Sequence, residues 1–406
     1  MKVFEINSVY EFGSTGKIVA DIKHVVEDNG GICYVAFGRG KCHEKNVFCV
    51  SNRFDVYRHV ILARLTDKTA FYSKKAARKT VKLIQELDPD IIHIHNIHGY
   101  YLNMDILLTY LRKIEKPIVL TLHDCWTFTG HCAYYDMSGC EKWQKSCCKC
   151  ESLNQYPKAF FDNSRNNYQK KRKLLTNLKN VVIVTPSEWL AGQVEKSFLK
   201  KFPVRVINNG IDLNKFYPVS SNLRVEYGMK SQFVIVSVAS VWDERKGIVY
   251  LIELAKRLDK NFTIVLIGLS EKQVKEYQKT ECDAQLVCKS RTSSVEELAQ
   301  WYSLADVFVN PTLEDNFPTT NIEALACGTP VITFDTGGSP EILGNPPVGK
   351  IIPKRDVDAL YEAVCEMKQD MKFTESMCVE QAKKFEKQER FEEYLNLFNE
   401  LINKEI

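Results

Sequence analysis

Two stretches in the second half of the chain place cations and carboxylates at spacings suited to a phosphorylated substrate. Ser240-Val241-Trp242-Asp243-Glu244-Arg245-Lys246-Gly247 follows a β-branched run and leads into a helical pattern. Arg245 and Lys246 are adjacent cations at a helix start, where charge and free N–H groups both favour a diphosphate. Glu314-Asp315-Asn316-Phe317-Pro318-Thr319-Thr320-Asn321-Ile322-Glu323 then supplies acids around a loop. Thr319 or Thr320 reads as a helix cap and Gly328 as the helix end. That puts Glu323 in an early turn, near enough to Asp315 to share one site. Gly337-Gly338-Ser339-Pro340-Glu341 reads as a loop with a Ser cap, Pro at the first helical position and an acid in the first turn. A well-capped helix explains that last segment as well as a ligand does.

The first half offers rings and small residues. Gly13-Ser14-Thr15-Gly16-Lys17 opens a helix after a strand. Its spacing is neither GxGxxG nor a P-loop, since Ile18 stands where Ser/Thr is needed, so a small-residue turn at a helix N-terminus remains. Two further strand ends carry His93, His95-Asn96-Ile97-His98-Gly99-Tyr100-Tyr101 and Thr121-Leu122-His123-Asp124. One histidine at a strand end is usually structural; four at neighbouring ends suit a sugar or phosphate site. His93-x-His95 has the spacing of a metal pair, but both side chains would lean into a packed core. Asp88-Pro89-Asp90, formally Asp-x-Asp, sits between a helix and a strand and reads as a turn.

The elements that must position these residues alternate along the chain. Lys2–Ile6, Ile32–Phe37, Ile91–His95, Ile118–Leu122 and Val181–Val184 read as buried strands, as do Phe233–Val238, Thr263–Ile267, Val307–Val309 and Val331–Phe334. Helical stripes such as Ile18, Ile22, Val25 and Val26 lie between them. Strands alternating with helices predict parallel sheets covered on both faces. In such sheets ligands bind beyond the carboxyl ends of strands, which is where every segment above falls. The turn cluster Asn208-Asn209-Gly210 marks a hinge. The expected α/β organisation is two Rossmann-like doubly wound domains, 1–206 and 207–385, with an irregular Cys-rich insertion at about 125–155. A charged helix over 386–406 closes the chain and could cross back to the first domain.

The 406 residues carry a formal charge of only +4. The sum hides a split: residues 1–206 hold 32 basic against 20 acidic residues, and 207–406 hold 23 against 31, giving +12 and −8. Modest net charge with 45% hydrophobic residues excludes general disorder. The longest apolar run, Phe233–Val241, includes two serines and is too short to span a bilayer. The start, MKVFEINSVY, lacks a signal-peptide pattern, so a cytoplasmic protein is expected. Basic residues are scattered without a recognition motif, which disfavours nucleic acid. Of 14 cysteines, Cys132, Cys140, Cys147, Cys148 and Cys150 crowd together. Cys132, Cys140, Cys147 and Cys150 could hold a structural zinc; buried free thiols and disulfides are the other readings.

These motifs resemble the retaining glycosyltransferases of family 4, which have the GT-B fold, over nearly the whole chain. Asp315…Glu323-Ala-Leu-Ala-Cys-Gly-Thr-Pro-Val is similar to that family's pair of acids separated by seven residues, with Asp315 in place of the usual glutamate. Arg245-Lys246-Gly247 resembles its lysine-glycine element; the family's arginine, five residues before the lysine, falls here on Val241. Gly-Ser-Thr-Gly, His-Asn-Ile-His-Gly-Tyr-Tyr and Thr-Leu-His-Asp-Cys-Trp resemble a bacterial capsular and exopolysaccharide subgroup. The resemblance implies two domains facing across a cleft and transfer of a sugar from a UDP- or GDP-sugar. The acceptor would be a saccharide or a polyprenyl-diphosphate-linked saccharide at the cytoplasmic membrane face. His123, Lys246, Asp315 and Glu323 would be catalytic: Lys246 on the diphosphate, Glu323 on the ribose, Asp315 on the donor sugar and His123 near sugar and phosphate. Gly13, Ser14, Thr15, Gly16, Asn96, His98, Asp124, Arg245, Asn316, Phe317 and Pro318 would line the substrates. No cofactor would be required for catalysis. Lys74-Lys75…Arg78-Lys79 and Lys170-Lys171-Arg172-Lys173 would meet anionic lipid. The rival readings are a GT-B epimerase or hydrolase acting on a sugar nucleotide, and a non-catalytic binder.

Overall fold

Strands β1 (Lys2–Val9), β4 (Ile91–Ile94), β5 (Ile118–Thr121) and β6 (Val181–Thr185) are almost wholly buried along their length. This is the signature of a parallel sheet covered on both faces, where β-branched side chains pack on either side. The computed structural model describes residues 1–403 and divides into two compact units. The first is Met1–Asn208 together with the chain from Arg390 onward; the second is Asn209–Glu389.

The first unit adds β2 (Ile32–Arg39), β3 (Val47–Cys49) and β7 (Val204–Val206) to make a seven-stranded parallel sheet of order β3-β2-β1-β4-β5-β6-β7. The second contains β8 (Phe233–Val238), β9 (Phe262–Ile267), β10 (Gln285–Lys289), β11 (Val307–Asn310), β12 (Val331–Phe334) and β13 (Gly349–Ile352), in order β10-β9-β8-β11-β12-β13. In both sheets the order reverses once, between β1 and β4 and between β8 and β11. Loops leaving two such strands diverge to opposite faces and open a crevice at the carboxyl edge.

The last helix, Lys387–Asn403, lays Phe391, Tyr394, Leu397 and Phe398 among Val119, Val182 and Val184 of the first unit. Two helix starts differ from expectation. The helix Thr319–Ala326 begins after Pro318, with no side-chain cap from either threonine. The helix Ser339–Leu343 begins after Gly338, and Ser339 lies inside it. Pro318 and Gly338 already turn the chain into the helix, which leaves these hydroxyls off the cap position.

Candidate active site

In the second unit the crevice loops follow β8 and β11. Asp243 accepts the backbone N–H of Lys246 at 3.1 Å and closes a 3-10 turn over Glu244–Lys246. Gly247 then takes φ +73°, and a Cβ there would stand 2.0 Å from the Pro311 carbonyl oxygen, so only glycine lets the loops approach. Leu313 N–H donates to the Arg245 carbonyl at 2.8 Å, and the Arg245 guanidinium donates to the Glu314 carbonyl at 2.9 Å. Lys246 Nζ and Asp315 Oδ2 meet at 2.5 Å, with side chains only 20% and 18% exposed. Burial pushes the Asp315 carboxyl up, but Lys246, Arg245 and the Phe317 N–H outweigh it and hold it below the ordinary carboxylate value.

The loop after β12 completes this half. Gly337 has φ +53°, and its missing Cβ would lie 1.7 Å from the Asp315 carbonyl oxygen. Gly338 N–H donates to the Asn316 carbonyl at 3.1 Å. Glu323 accepts the Tyr302 hydroxyl at 2.9 Å, which fixes its carboxylate on the first turns of its helix. The Phe317 ring is turned inward, 5.6 Å from that of Phe385 and 4% exposed, and Asn316 and Pro318 are also buried. What Phe317 offers a ligand is backbone.

In the first unit the crevice loops follow β1 and β4. Asn7, which sequence reasoning missed, joins them: its amide donates to Val9 O at 2.8 Å and Thr15 Oγ1 at 3.4 Å, while its oxygen accepts Asn96 N–H at 3.3 Å. Gly16 is buried against Glu11 N and Val9, where a Cβ would be 3.2 Å from both, and Gly13 and Ser14 are exposed at the helix start. Gly99 packs on Ser8 closely enough that a Cβ would lie at 2.8 Å. His98 stands between Asp124 Oδ2, 2.9 Å from Nε2, and the Tyr156 hydroxyl, 3.1 Å from Nδ1. Asp124 in turn accepts Trp126 N–H at 2.9 Å.

His123 is partly exposed, while His93 and His95 are fully buried. His95 Nδ1 lies 2.9 Å from His123 Nε2 with the two ring planes 11° apart, and His95 Nε2 lies 3.2 Å from Glu5 Oε1. His93 Nε2 contacts the Thr121 hydroxyl at 2.8 Å. Burial lowers the pKa of His123 to about 4, so its ring is neutral at physiological pH. Glu5 is a further residue missed from sequence; an isolated acid in an apolar strand was its only signal.

Cys132, Cys140, Cys147 and Cys150 are free thiols. Cys147 Sγ accepts Gly130 N–H at 3.1 Å, and Cys132 and Cys150 hydrogen-bond to each other. Among the described residues no three of these sulfurs lie mutually within 4.8 Å. Tyr135, Phe128 and Trp143 pack edge-on and tilted against one another in the same segment, with ring centroids 4.8–6.4 Å apart.

Both halves fit known descriptions. Residues 31–215 match Glycosyltransferase Family 4 and residues 232–370 match Glycosyl transferases group 1. A curated relative bearing the name colanic acid biosynthesis glycosyl transferase WcaC, from Escherichia coli K12, is 28% identical over 229 residues, 52% of this chain and 55% of its own length. The alpha-maltose-1-phosphate synthase of Mycolicibacterium smegmatis is 26% identical over 39% of this chain and 45% of its own. The chain thus spans about half the length of the curated relatives it matches. Among solved structures, sucrose-phosphate synthase from Thermosynechococcus elongatus superposes with TM-score 0.69 at 18% identity, covering 99% of each chain. Anabaena HepE in complex with UDP does so with TM-score 0.69 at 16% identity, covering 98% of this chain and all of the other. With its two parallel-sheet Rossmann-like units, a family 4 first unit and a group 1 second unit, the chain belongs to the GT-B glycosyltransferases of family 4.

Proposed function

We propose that the chain moves a sugar from a UDP- or GDP-sugar to a saccharide or polyprenyl-diphosphate-linked saccharide in surface polysaccharide biosynthesis, with retention at the anomeric carbon. The Lys246–Asp315 pair beside Arg245, at the reversal point of the second sheet, carries this reading. Transfer leaves a nucleoside diphosphate that gains negative charge as the glycosidic bond breaks. Two cations on one rigid turn meet that charge in a partly dehydrated place, the arrangement that makes electrostatic stabilisation effective and needs no catalytic metal. Lys246 leaves Asp315 for the phosphate, and Asp315 turns to the sugar hydroxyls. Glu323, steadied by Tyr302, takes the ribose. His98, Asp124, Asn96 and the Gly13–Gly16 turn handle the acceptor side, and His123 stands by the sugar. The leaving phosphate receives the acceptor hydroxyl's proton as the new bond forms on the same face. Colanic acid synthesis in one relative's name and UDP in a structural neighbour's complex support the pathway and donor class.

Among the described residues no helix is long and apolar enough to cross a membrane. The helix Arg53–Thr66 supplies a surface for the lipid-linked acceptor instead. It turns Phe54, Tyr57, Ile61 and Leu65 outward, 77%, 67%, 41% and 47% exposed, along one stripe. Arg53, Arg58, which pairs with Asp55 at 2.9 Å, and Arg64 are exposed on the helix, and Lys68 is exposed just beyond its end. Phe160, 71% exposed, is tied to it through its N–H on the Arg64 carbonyl at 2.7 Å. Aromatic and aliphatic groups flanked by arginines suit an anionic bilayer at the cytoplasmic face. The segment 170–173 suits it less: Lys171 is buried, donating to Trp126 O at 2.5 Å above that indole, and Lys170 pairs with Asp105 at 2.6 Å.

A thermal-shift panel of nucleotide sugars tests the donor. A ligand at 100 times its Kd stabilises by about 2.7 kcal/mol. NMR of the product then reads the anomeric configuration. Donor hydrolysis or epimerisation at full rate without acceptor favours the rival enzyme, and no shift with any nucleotide removes the proposal.

A further inference from the structure

Glu5, His95 and His123 form a continuous file from the core of the first unit to its carboxyl edge. Glu5 Oε1 is 3.2 Å from His95 Nε2, and His95 Nδ1 is 2.9 Å from His123 Nε2. Glu5 and His95 are 0% and 2% exposed, so the Glu5–His95 contact is shielded from solvent. The Cys33 thiol donates to Glu5 Oε2 at 3.5 Å, and His93 Nδ1 lies 3.1 Å from Oε1 without making a hydrogen bond to it.

A neutral imidazole carries one hydrogen on one nitrogen and a lone pair on the other. The hydrogens in the file therefore cannot be chosen independently. If the Glu5 carboxylate accepts from His95 Nε2–H, His95 Nδ1 is bare and must accept from His123 Nε2–H. His123 Nδ1 is then bare. If Glu5 holds a proton and donates it to His95 Nε2, each hydrogen faces the other way and His123 Nδ1 carries N–H. We propose that Glu5 and His95 are positioning residues that set the tautomer of His123, so that ionised Glu5 gives His123 a hydrogen-bond-accepting Nδ1 and protonated Glu5 gives it a donating one. Every ring stays neutral in both states, and the one proton gained or lost resides on Glu5.

The groups facing Glu5 decide where the change falls. Lys23 and Glu27 face it from the helix Gly13–Asp28, Cys33 from β2, His93 and His95 from β4, and Tyr394 from the helix Lys387–Asn403. Burial pushes the Glu5 carboxyl well above its ordinary value; Cys33 and Lys23 oppose this and Glu27 adds to it. Burial holds His93 and His95 well below the usual imidazole value, and His123 is lowered to about 4. The carboxyl, raised above 4.5, therefore changes charge before the His123 ring does. A neutral His123 that accepts can hold a sugar hydroxyl through its hydrogen, and one that donates can hold it through oxygen. That consequence rests on the sugar-handling role proposed above, whereas the tautomer itself does not.

The test is a nitrogen-15 NMR titration of histidine-labelled full chain, which separates bare from protonated ring nitrogens without any assay of transfer. The expected result is a His123 Nδ1 signal that is bare at high pH and moves to the N–H position as pH falls, before imidazolium forms. In Glu5→Gln, whose amide does not titrate, the His123 Nδ1 signal keeps one state, bare or protonated, down to the onset of imidazolium formation. Identical titrations in both proteins would overturn the proposal, as would a His123 Nδ1–H over the whole range. One equivalent of divalent metal in the purified protein, lost in Glu5→Gln, would overturn it too. If Glu5→Gln does not fold, the wild-type spectrum decides alone, because the file requires His95 Nε2 to be protonated and Nδ1 bare whenever His123 Nδ1 is bare.

Discussion

Lys246 Nζ and Asp315 Oδ2 are 2.5 Å apart although 69 residues separate them, each within the loop that leaves one of the two strands where the second sheet reverses. An ammonium poised on a carboxylate can be handed to a phosphate at little cost in reorganisation. Lys246→Ala is expected to lower kcat by roughly 10²–10³, the scale of losing one preorganised electrostatic partner. Asp315→Asn should lower kcat while leaving nucleoside diphosphate affinity equal or tighter, because Lys246 is released. Steady-state kinetics with UDP titrations check both, and near-normal turnover by Lys246→Ala removes it from the mechanism. The Asp315 carboxyl is held below its ordinary value of 3.8, so the stability it contributes is complete above pH 4 and lost only as pH falls through the lowered value.

The loops that carry this pair depend on glycines that touch backbone. Gly337→Ala must fit a Cβ 1.7 Å from the Asp315 carbonyl oxygen at φ +53°. We expect a loss of about 1–3 kcal/mol, as for overpacking and positive-φ strain, with donor affinity falling in step. Gly139→Ala is the control: φ is +63° but nothing lies within 4 Å, so only the roughly 1–2 kcal/mol of left-handed backbone cost applies. Equal urea midpoints for the two variants would show that the contact with Asp315 does not matter.

Much of this site was legible because its chemistry is local in sequence. Arg245-Lys246-Gly247 and the seven-residue gap between Asp315 and Glu323 announce charge, turn and helix face together. The central strands showed themselves as β-branched runs. The edge strands did not: β3 is three residues long, β10 carries Gln285 and Lys289, and β13 begins with Gly349 and Lys350. Edge strands are half-solvated, so polar residues do not betray them. Glu5 and Asn7 were illegible because their partners, at His95 and Asn96, lie some ninety residues away. The basic run at 170–173 misled for a related reason, since nothing in one dimension shows Lys171 folded over Trp126.

Histidine burial predicts acid sensitivity of the first unit. Burial lowers the His59 pKa to about 4, with Arg58 adding and Asp55 opposing. Its Nε2 accepts Ala70 N–H at 3.2 Å, so Nδ1–H donates to Ser73 Oγ at 2.8 Å. The unfolded chain takes up a proton near 6.5, and the folded one does not until about 4. Stability should therefore be flat above pH 7 and fall between 6.5 and 4, by up to about 3 kcal/mol for each such ring. His59→Gln should be less stable at pH 7 yet lose less on acidification. Urea midpoints at pH 7 and 4.5 check this; an unchanged slope sinks it.

The thiol segment bears on the zinc proposal. A tetrahedral Zn²⁺ holds sulfurs at about 2.3 Å, hence roughly 3.8 Å from one another. Cys132, Cys140, Cys147 and Cys150 would have to draw together, so metal should compact the segment as well as fill it. About one zinc per chain, released by a mercurial, with Tm falling on chelation, is the expected result. Metal-free protein with every thiol titratable would leave the Phe128, Tyr135 and Trp143 ring cluster as the support.

The outward stripe of Arg53–Thr66 makes the membrane proposal quantitative. Inserting a side chain such as Phe54 is worth about 1.5–3 kcal/mol, and each arginine near an anionic surface about 1 kcal/mol. Phe54→Ser should therefore weaken binding to vesicles by at least about tenfold whatever their charge. Arg53→Gln with Arg64→Gln should weaken it by roughly thirtyfold on anionic vesicles and hardly at all on neutral ones. Because these residues face solvent, the variants should keep the wild-type Tm and full turnover on a soluble acceptor. Sedimentation with vesicles of graded phosphatidylglycerol content separates the two contributions. Binding indifferent to both sets of changes would remove this face from the membrane and leave the exposed cations of the helix Lys74–Leu87 as the contact.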